Sequence, residues 1–428
     1  MTGTARTAHD ETPRAARTVL ISGASVAGPA LALLLHRYGF AVTVVERAPE
    51  LRAGGYKVDI RGTAVEVCRR MGVWDEIVAA STDMDGGSYV DDEGRTVGEL
   101  PAEIFGGRAG QDDEIMRGDL ARILYERTRD DVEYLFGDSI AALHDLGDEG
   151  DGVDVDFESG ARRRFDLVVG ADGLHSNTRR LVFGEERRFK RHLGAYISIF
   201  TAPNRLGLTR WETYHARPHK LVSVYSAAGE SARTAKNCFV FASPAELSYD
   251  HRDSAAQKRL LAEAFAGDGW EIPALIEDSA HAEDFYFDSI ALIEMDRWSS
   301  GRVVLLGDAA HCTSPASGQG TGLALTGAYV LAGELAAARG DHRVAFAAYE
   351  REMRPGVELN QRFAEKFAKE MTVSSRRKIA LRMFMVRLLP KTPWKNLIAK
   401  KIREEVQRVA HAVPVKDYGQ SRVDAPSL

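Results

Sequence analysis

The sequence predicts an α/β fold, in which a Rossmann-like dinucleotide-binding domain carries an inserted, mainly antiparallel β-sheet domain and is followed by C-terminal helices. A glycine-bearing turn joins a β-rich run to a helix over about residues 26–38, and a second β-rich run follows. Between Arg191 and Met295 the pattern changes to the polar and apolar alternation of antiparallel strands. After Gln319 the chain becomes helical. These three observations indicate two folded domains and a helical tail.

The first domain is predicted to contain a parallel sheet. Four short apolar runs lack polar alternation, as is typical of strands that are buried on both faces. They lie at residues 19–21, 42–45, 167–169 and 303–306. Because these runs are far apart in the chain, the domain must be discontinuous, and we assign to it residues 17–85, 107–185 and 285–371.

The remaining segments are assigned to the second domain and to the two ends. Residues 86–106 and 186–284 are predicted to form the antiparallel sheet, with a helix over about residues 255–265 and a hairpin that turns at residues 92–94. Residues 1–16 lack an apolar core, so we expect a disordered leader. Residues 372–428 are expected to form basic, amphipathic helices and a tail.

Composition narrows the class of protein. The 428 residues contain no run that approaches the ~18 apolar residues of a membrane-spanning helix. A net charge of −6 gives no overall attraction to nucleic acid or to an anionic membrane. Three widely spaced cysteines exclude a disulfide scaffold and a cysteine zinc site. We therefore expect a cytoplasmic protein, monomeric or homodimeric, that acts on a small molecule without a metal or stable membrane association.

The first motif is a glycine turn between a strand and a helix. Gly23 permits a tight turn, Ser25 is small enough for close backbone approach, and Gly28 lets the helix pack near the sheet. The helix N-terminus offers free N–H groups to a pyrophosphate. Glu46, eighteen residues beyond Gly28, is placed to bind ribose hydroxyls. The alternative is an ordinary glycine turn, which Glu46 makes less attractive.

Two further motifs follow buried strands. Asp172 and Gly173 form a turn into a helix that Ser176 or Asn177 can cap, and a merely structural turn explains them equally well. Asp308 ends another strand, at the edge where open α/β sheets bind ligands, and can accept hydrogen bonds from the ribityl hydroxyls of a flavin. The glycines after it open a helix whose N-terminus favours negative charge on a reduced flavin. Close helix packing is the alternative for these glycines.

Together the three motifs resemble the single-component FAD-dependent aromatic hydroxylases, the group that includes para-hydroxybenzoate hydroxylase and the tetracycline-inactivating monooxygenases. The resemblance covers about residues 18–371. It implies a glutathione-reductase-type FAD domain, with NADPH or NADH as a transient reductant. It also implies that reduced flavin and oxygen form a C4a-hydroperoxide, which transfers oxygen to an electron-rich carbon, so no fixed catalytic dyad is required. The large second domain and the C-terminal helices favour a bulky aromatic or polyketide-like small molecule as the substrate.

The resemblance also implies roles for individual residues. Arg117 matches an arginine that opens a helix and reaches the FAD, and the loop at residues 57–62 places Asp59 and Arg61 beside the flavin ring. Gly322 and Gly327 depart from the best-studied branch, so substrate and nicotinamide preference transfer less well. The predicted cofactor-binding residues are Gly23, Ser25, Val26, Ala27, Gly28, Glu46, Arg47, Asp59, Arg61, Arg117, Asp172, Gly307, Asp308, Pro315, Gly318, Gly320, Thr321 and Gly322.

Substrate-binding residues are expected on strands of the second domain. His215 can act as a base near neutral pH. Arg61, His215 and Tyr225 are the catalytic candidates, although each strand residue can instead point into the sheet core or into solvent. The substrate-binding candidates are Arg210, Tyr214, His215, Tyr225 and Phe239.

Two other functions remain open at this stage. The first is an FAD-dependent dehydrogenase or oxidase, and the second is a non-catalytic flavin-fold protein that binds a ligand. Glu46, Arg117 and Asp308 argue against the second. Halogenation is disfavoured, because Trp270 belongs to only a fragment of the two-tryptophan signature of flavin halogenases.

Overall fold

The computed structural model describes residues 17–52, 54–102, 110–145, 152–229, 231–388, 392–393 and 395–419. The predicted leader at residues 1–16 lies outside this part of the chain. The strands are β1 Thr18–Ser22, β2 Ala41–Glu46, β3 Lys57–Ile60, β4 Gly86–Val90, β5 Thr96–Pro101, β6 Asp113–Met116, β7 Glu133–Phe136, β8 Ile140–Asp145, β9 Val153–Phe157, β10 Arg162–Phe165, β11 Leu167–Gly170, β12 Lys190–Pro203, β13 Trp211–Arg217, β14 Lys220–Ser226, β15 Thr234–Ala242, β16 Tyr286–Ile293, β17 Ser299–Ser300 and β18 Val303–Leu305.

The chain is largely helical after Gln319, as the sequence predicts. Short 3₁₀ turns lie at Glu186–Arg188 and Pro315–Ser317. The α-helices are α1 Ala27–Arg37, α2 Thr63–Arg70, α3 Trp74–Ala79, α4 Arg117–Glu126, α5 Asn177–Phe183, α6 Ser254–Ala264, α7 Ile272–Ser279, α8 Asp308–His311, α9 Gly320–Ala337, α10 His342–Met371, α11 Arg376–Leu388 and α12 Lys395–Ala410.

The predicted parallel sheet is confirmed. Its six strands lie in the order β17-β18-β11-β1-β2-β7, and all neighbours are parallel except β17 and β18. Val19 and Ile21 of β1 face the core formed with α1 and α9, whereas Leu20 faces a second core under the small β10-β9-β8 sheet. Both faces are therefore covered, which explains the uninterrupted apolar runs.

The second domain is a seven-stranded sheet in the order β16-β12-β15-β14-β13-β4-β5. The predicted hairpin forms β4 and β5 at one edge, with β4 parallel to β13. Helices α6 and α7 cover one face over an aromatic core. Our domain boundary at residue 285 was wrong for this sheet. Strand β16 pairs with β12, so the sheet continues to Ile293.

The C-terminal helices differ in burial. Helix α9 is almost entirely buried, as its apolar sequence predicts, whereas α11 leaves Leu381, Phe384 and Met385 exposed. Along α11, the side chain of Val386 packs close to Gly98 of β5. Within the described residues, every helix is too short or too polar to cross a membrane.

Candidate cofactor and substrate site

A cavity of about 300 Å³ lies where the carboxyl ends of the parallel strands meet the second sheet. One wall comes from the FAD-type motifs and includes Asp308, Gly318 and Gly320. The opposite wall is the face of the second sheet that α6 and α7 leave uncovered, and α10 contributes Met371. The two domains therefore line this cavity together.

The glycine turn before α1 has the geometry of a dinucleotide loop. Gly23 has a φ of +110°, and a Cβ on Gly28 would lie 1.9 Å from the carbonyl oxygen of Gly23, so a side chain cannot be accommodated there. Glu46 accepts hydrogen bonds from the backbone N–H groups of Ala24 at 2.9 Å and Ala48 at 3.0 Å. The predicted ribose-binding carboxylate is thus held beside the loop. Val26 and Ala27 begin α1 there, whereas Arg47 is exposed just after β2.

Arg117 is brought to the same loop by the start of α4. Its N–H donates to the carbonyl of Tyr56 at 2.9 Å, and its Nη1 donates to Oγ of Ser25 at 2.8 Å. Burial lowers the pKa of Arg117 from 12.5 but leaves the guanidinium charged at neutral pH. This places a cation beside the helix N-terminus where a pyrophosphate would bind.

Asp172 holds a turn together. Its carboxylate accepts hydrogen bonds from the N–H of Thr178 at 2.8 Å and from its hydroxyl at 2.9 Å, and it also bonds the hydroxyl of Ser176. Ser176 caps α5 by accepting from the N–H of Arg179 at 2.9 Å. The structural interpretation accounts for these contacts, and a direct cofactor contact of Asp172 stays a prediction.

Asp308 presents its carboxylate to the cavity. It follows Gly307, whose φ of +63° turns the chain from β18 into α8. Enclosure in the cleft raises the pKa of Asp308 above 3.8, and the neighbouring Cys312 partly offsets this. Pro315, Gly318, Gly320 and Thr321 line the same cavity, and Gly322 lies buried one residue further along α9.

The residues after Asp308 are structural or inert. Burial lowers the pKa of His311 to about 4, and its ring packs against Trp298 at 4.6 Å between centroids. Burial raises the pKa of Cys312 well above 9.0, so its thiol is unreactive.

The second sheet places only part of the predicted substrate set at the cavity. Tyr214 and Tyr225 line it. His215 points to the opposite face, where it stacks on Trp270 at 5.0 Å and lies 3.1 Å from Asp92. Burial lowers the pKa of His215, so the ring is neutral at neutral pH. His215 therefore cannot reach a substrate in this cavity.

Three other candidates also lie apart from the cavity lining. Phe239 is fully buried in the aromatic core under α6 and α7. Arg210 pairs with Asp85 at 2.7 Å at the edge of the sheet. Arg61 is buried and pairs with Asp59 at 2.7 Å, while Asp59 itself lines the cavity. The segment that we predicted as a loop beside the flavin contains strand β3, whose pairing with β6 fixes these side chains.

Sequence reasoning missed a charged cluster in the cavity wall. Nζ of Lys57 lies 2.6 Å from Oε2 of Glu212 and 3.5 Å from Oε2 of Glu114. Lys57 and Glu212 both line the cavity, and the N–H of Lys57 donates to the hydroxyl of Tyr225 at 3.2 Å. The signal available in the sequence was Glu212, an acidic residue between the substrate-binding candidates Arg210 and Tyr214, whereas Lys57 lies in the segment that we predicted as a loop.

A second missed cluster lies near the cavity, behind Tyr286. Nε2 of His175 lies 2.9 Å from Oδ2 of Asp288, and its Nδ1 lies 3.1 Å from Glu186. Burial alone would lower the pKa of His175, but the hydrogen bonds and charges of the two carboxylates outweigh it and raise the pKa to about 9. His175 is therefore an imidazolium at neutral pH.

The residues present fit an FAD. Gly23 and Gly28 form a cradle that a Cβ would fill, and Arg117 supplies a cation at the pyrophosphate end. At the other end, Nε2 of Gln319, at the N-cap of α9, is buried without a hydrogen-bond partner among the described residues. An acceptor-rich flavin would satisfy such a donor. Across the described part of the chain, no cluster of three metal-ligating residues occurs.

This fold and this site define a flavin-dependent monooxygenase. Residues 16–364 match the family model described as FAD binding domain, and the chain belongs to that family. It is 48% identical to the uncharacterized protein Rv1260 of Mycobacterium tuberculosis, over 94% of this chain and 100% of that one. It is 40% identical to a flavin-dependent monooxygenase of Legionella longbeachae, over 81% and 87% of the two chains.

A solved structure extends the likeness to the whole fold. The chain superposes on tetracycline destructase Tet(51) with a TM-score of 0.81 at 35% identity, covering 94% of this chain and 100% of that one. The predicted class, enzyme type and fold are thereby confirmed.

Proposed function

We propose that this protein uses NADPH or NADH and oxygen to hydroxylate a bulky aromatic or polyketide-like small molecule. One observation carries the proposal: the cavity that contains Asp308 and the N-terminus of α9 is continuous with the apolar face of the second sheet. A flavin held at the first wall would therefore face a substrate held at the second. The likeness to a tetracycline destructase supports testing polycyclic compounds, tetracyclines among them.

Bound FAD would supply the redox chemistry, by accepting a hydride from NAD(P)H and passing one oxygen atom of O₂ to a substrate carbon. The second oxygen atom leaves as water, so the balanced inputs are substrate, O₂, NAD(P)H and one proton. Asp308 would accept hydrogen bonds from the ribityl hydroxyls. The N-terminus of α9, at Gly320, would stabilise negative charge at the adjacent edge of the ring.

The second sheet would orient the substrate and exclude water. Tyr214 and Tyr225 stay neutral at physiological pH because burial raises the pKa of both hydroxyls well above 10.0. Tyr225 can therefore donate a hydrogen bond to a substrate oxygen, whereas the hydroxyl of Tyr214 is hydrogen-bonded to Glu212. Ile197, Leu221 and Val240 supply apolar surface around them. Of the catalytic candidates from the sequence, Tyr225 keeps a place in this proposal.

The three cysteines are unpaired, which supports a cytoplasmic location for the protein. The protein is expected to be a monomer or a homodimer, and its molecular mass in solution distinguishes the two.

The function is tested by NADPH and NADH oxidation in air, with and without a panel of polycyclic aromatic compounds. We expect one compound to accelerate oxidation and to yield a product heavier by one oxygen atom. Peroxide without oxygenated product from any compound would favour an oxidase. Bound FAD that neither nucleotide reduces would contradict the proposal and favour a ligand-binding protein or a flavoenzyme fed by a partner.

A further inference from the structure

We propose that the cavity selects a neutral or cationic aromatic molecule that donates a hydroxyl or amine hydrogen bond to Glu212, and that it excludes carboxylates. The inference rests on the proposed function, because it specifies the substrate of the same site. Among the described lining residues, Lys57 is the single cation, and three carboxylates belong to the same lining: Asp59, Glu212 and Asp308. By formal charge, the lining of the cavity is therefore acidic.

Lys57 is already paired with two carboxylates, and their charges offset its attraction for an anionic substrate. Its Nζ lies between Glu212 at 2.6 Å and Glu114 at 3.5 Å, whose side chains are only 3% and 6% exposed. Burial lowers the pKa of Lys57, but the two carboxylates outweigh it and raise the pKa above 10.5. By formal charge, one ammonium group thus faces two buried carboxylates, which gives the cluster a formal charge of −1.

The other two carboxylates of the lining have different surroundings. Asp59 is paired with Arg61 at 2.7 Å, so its charge is balanced within the protein. Asp308 lies in the wall that also contains Gly318 and Gly320, which are predicted to bind the cofactor. Glu212 lies instead on strand β13 among the residues of the substrate wall. It is the carboxylate that a substrate against the second sheet would meet.

The rest of the substrate wall offers shape and neutral hydrogen-bonding groups. Tyr214 lies two residues after Glu212 on the same face of β13; its hydroxyl is hydrogen-bonded to Glu212, and its ring stacks on Tyr89 at 5.3 Å. Tyr225 lies opposite Glu212 on β14. The apolar remainder of this wall consists of Ile197, Ile199, Leu221, Val240 and Met371.

The charge of the group attached to the aromatic ring then decides which ligand binds. A ligand carboxylate placed here would lie near Glu212 without an unpaired cation, and like charges brought together in a desolvated site repel strongly. A hydroxyl or ammonium group would instead donate to Glu212 and keep the Lys57 pairing intact. We expect a discrimination of roughly tenfold or more in dissociation constant between matched cationic and anionic ligands.

The test uses three probes that differ in charge on one ring: 2-naphthol, 2-naphthylmethylamine and 2-naphthoate, with phenol, benzylamine and benzoate as the smaller set. Binding to the FAD-loaded protein is measured in the absence of nicotinamide, from the change in flavin absorbance. We expect naphthol and naphthylmethylamine to bind, and naphthoate to bind at least about tenfold more weakly. Carboxylates that bind as well as amines, or no binding by either ring set, would overturn the proposal.

A charge variant assigns the effect to Glu212. In Glu212→Gln the preference for amine over carboxylate should fall by about tenfold. Glu263→Gln removes the same charge from an exposed position on α6 and should leave the preference unchanged. An unchanged preference in the folded Glu212→Gln protein would overturn the role of Glu212. If that variant does not fold, the three probes still test the selectivity on the unmodified protein.

These binding measurements are independent of turnover. If the proposed hydroxylation fails, FAD-loaded protein shows no nicotinamide oxidation while the order of binding can still be recorded. If only the selectivity fails, a carboxylate binds and is turned over.

Discussion

Nζ of Lys57 and Oε2 of Glu212 lie 2.6 Å apart, although 155 positions separate the two residues in the chain. The contact joins β3, which belongs to the small ribbon beside the FAD-type domain, to β13 of the second sheet. It therefore ties the two walls of the cavity together. Because one oxygen of Glu114 also lies within 3.5 Å of Nζ, the pair is part of a buried network rather than an exposed ion pair.

Removing the lysine should destabilise the fold. In Lys57→Met, Glu212 and Glu114 lose their cation while remaining buried, and we expect a loss of about 3 kcal/mol in the free energy of unfolding, measured in urea. Lys369→Met, at an exposed position on α10, should change it by less than about 0.5 kcal/mol. The double variant Lys57→Met/Glu212→Gln should recover part of the loss. A single variant as stable as the unmodified protein would show that the network contributes nothing.

Arg117 should contribute to FAD affinity rather than to stability. Arg117→Ala removes the guanidinium that donates to Ser25 at 2.8 Å beside the predicted pyrophosphate site. We expect the FAD dissociation constant to rise roughly 10- to 100-fold, as for loss of a charged hydrogen bond. The measurement is FAD titration of apoprotein followed by flavin fluorescence. Arg122→Ala, on the exposed side of the same helix, is the control, and equal effects of the two variants would contradict this role.

Gly28 should tolerate no side chain. In Gly28→Ala the new Cβ would lie 1.9 Å from the carbonyl oxygen of Gly23, so the loop must move. We expect protein that is purified without FAD, measured as the ratio of absorbance at 450 nm to that at 280 nm. Gly269→Ala has open space around its Cβ and should keep its FAD. Full FAD content in the Gly28 variant would disprove the close approach.

Two adjacent residues of β13 should respond differently to substitution. Tyr214→Phe removes a hydroxyl from the cavity wall and should alter the KM or the coupling of NAD(P)H oxidation to product. His215→Asn acts on the opposite face of the sheet and should leave both unchanged in folded protein. Steady-state kinetics with peroxide and product measured together decides this. A larger kinetic effect of the His215 variant would place the substrate elsewhere.

His175 should make stability depend on pH. Its pKa is about 9 in the folded protein, against an ordinary value of 6.5 when unfolded, because Asp288 and Glu186 favour the imidazolium. The stabilisation is fully present below about pH 6.5 and is lost as pH rises through about 9, and amounts to on the order of 3 kcal/mol. His175→Gln should remove this dependence in urea unfolding between those pH values, whereas exposed His281→Gln should retain it. Parallel curves for His175→Gln and the unmodified protein would contradict the prediction.

The sequence was most informative where function depends on the backbone. The glycines before α1 and the strand that delivers Asp308 were predicted in position and order, because each is set by the local geometry of a strand-to-helix turn, and Glu46 was predicted at the end of the next strand. The boundary near residue 285 was misplaced for the opposite reason. Strand β16 joins the second sheet by pairing with β12, and that partner lies about a hundred residues earlier.

The sequence by itself determined the fold class, the flavin-type motifs and the existence of a second sheet, since short-range sterics and hydrophobic periodicity act within a few residues. Only the tertiary structure decided which face of that sheet forms the cavity. Alternation requires that Tyr214 and His215 point to opposite faces, but helices α6 and α7 cover the face of His215 and leave that of Tyr214 open. The pairing of Lys57 with Glu212 was likewise decided by docking of separate elements, because an ion pair depends on distance in space and not on distance along the chain.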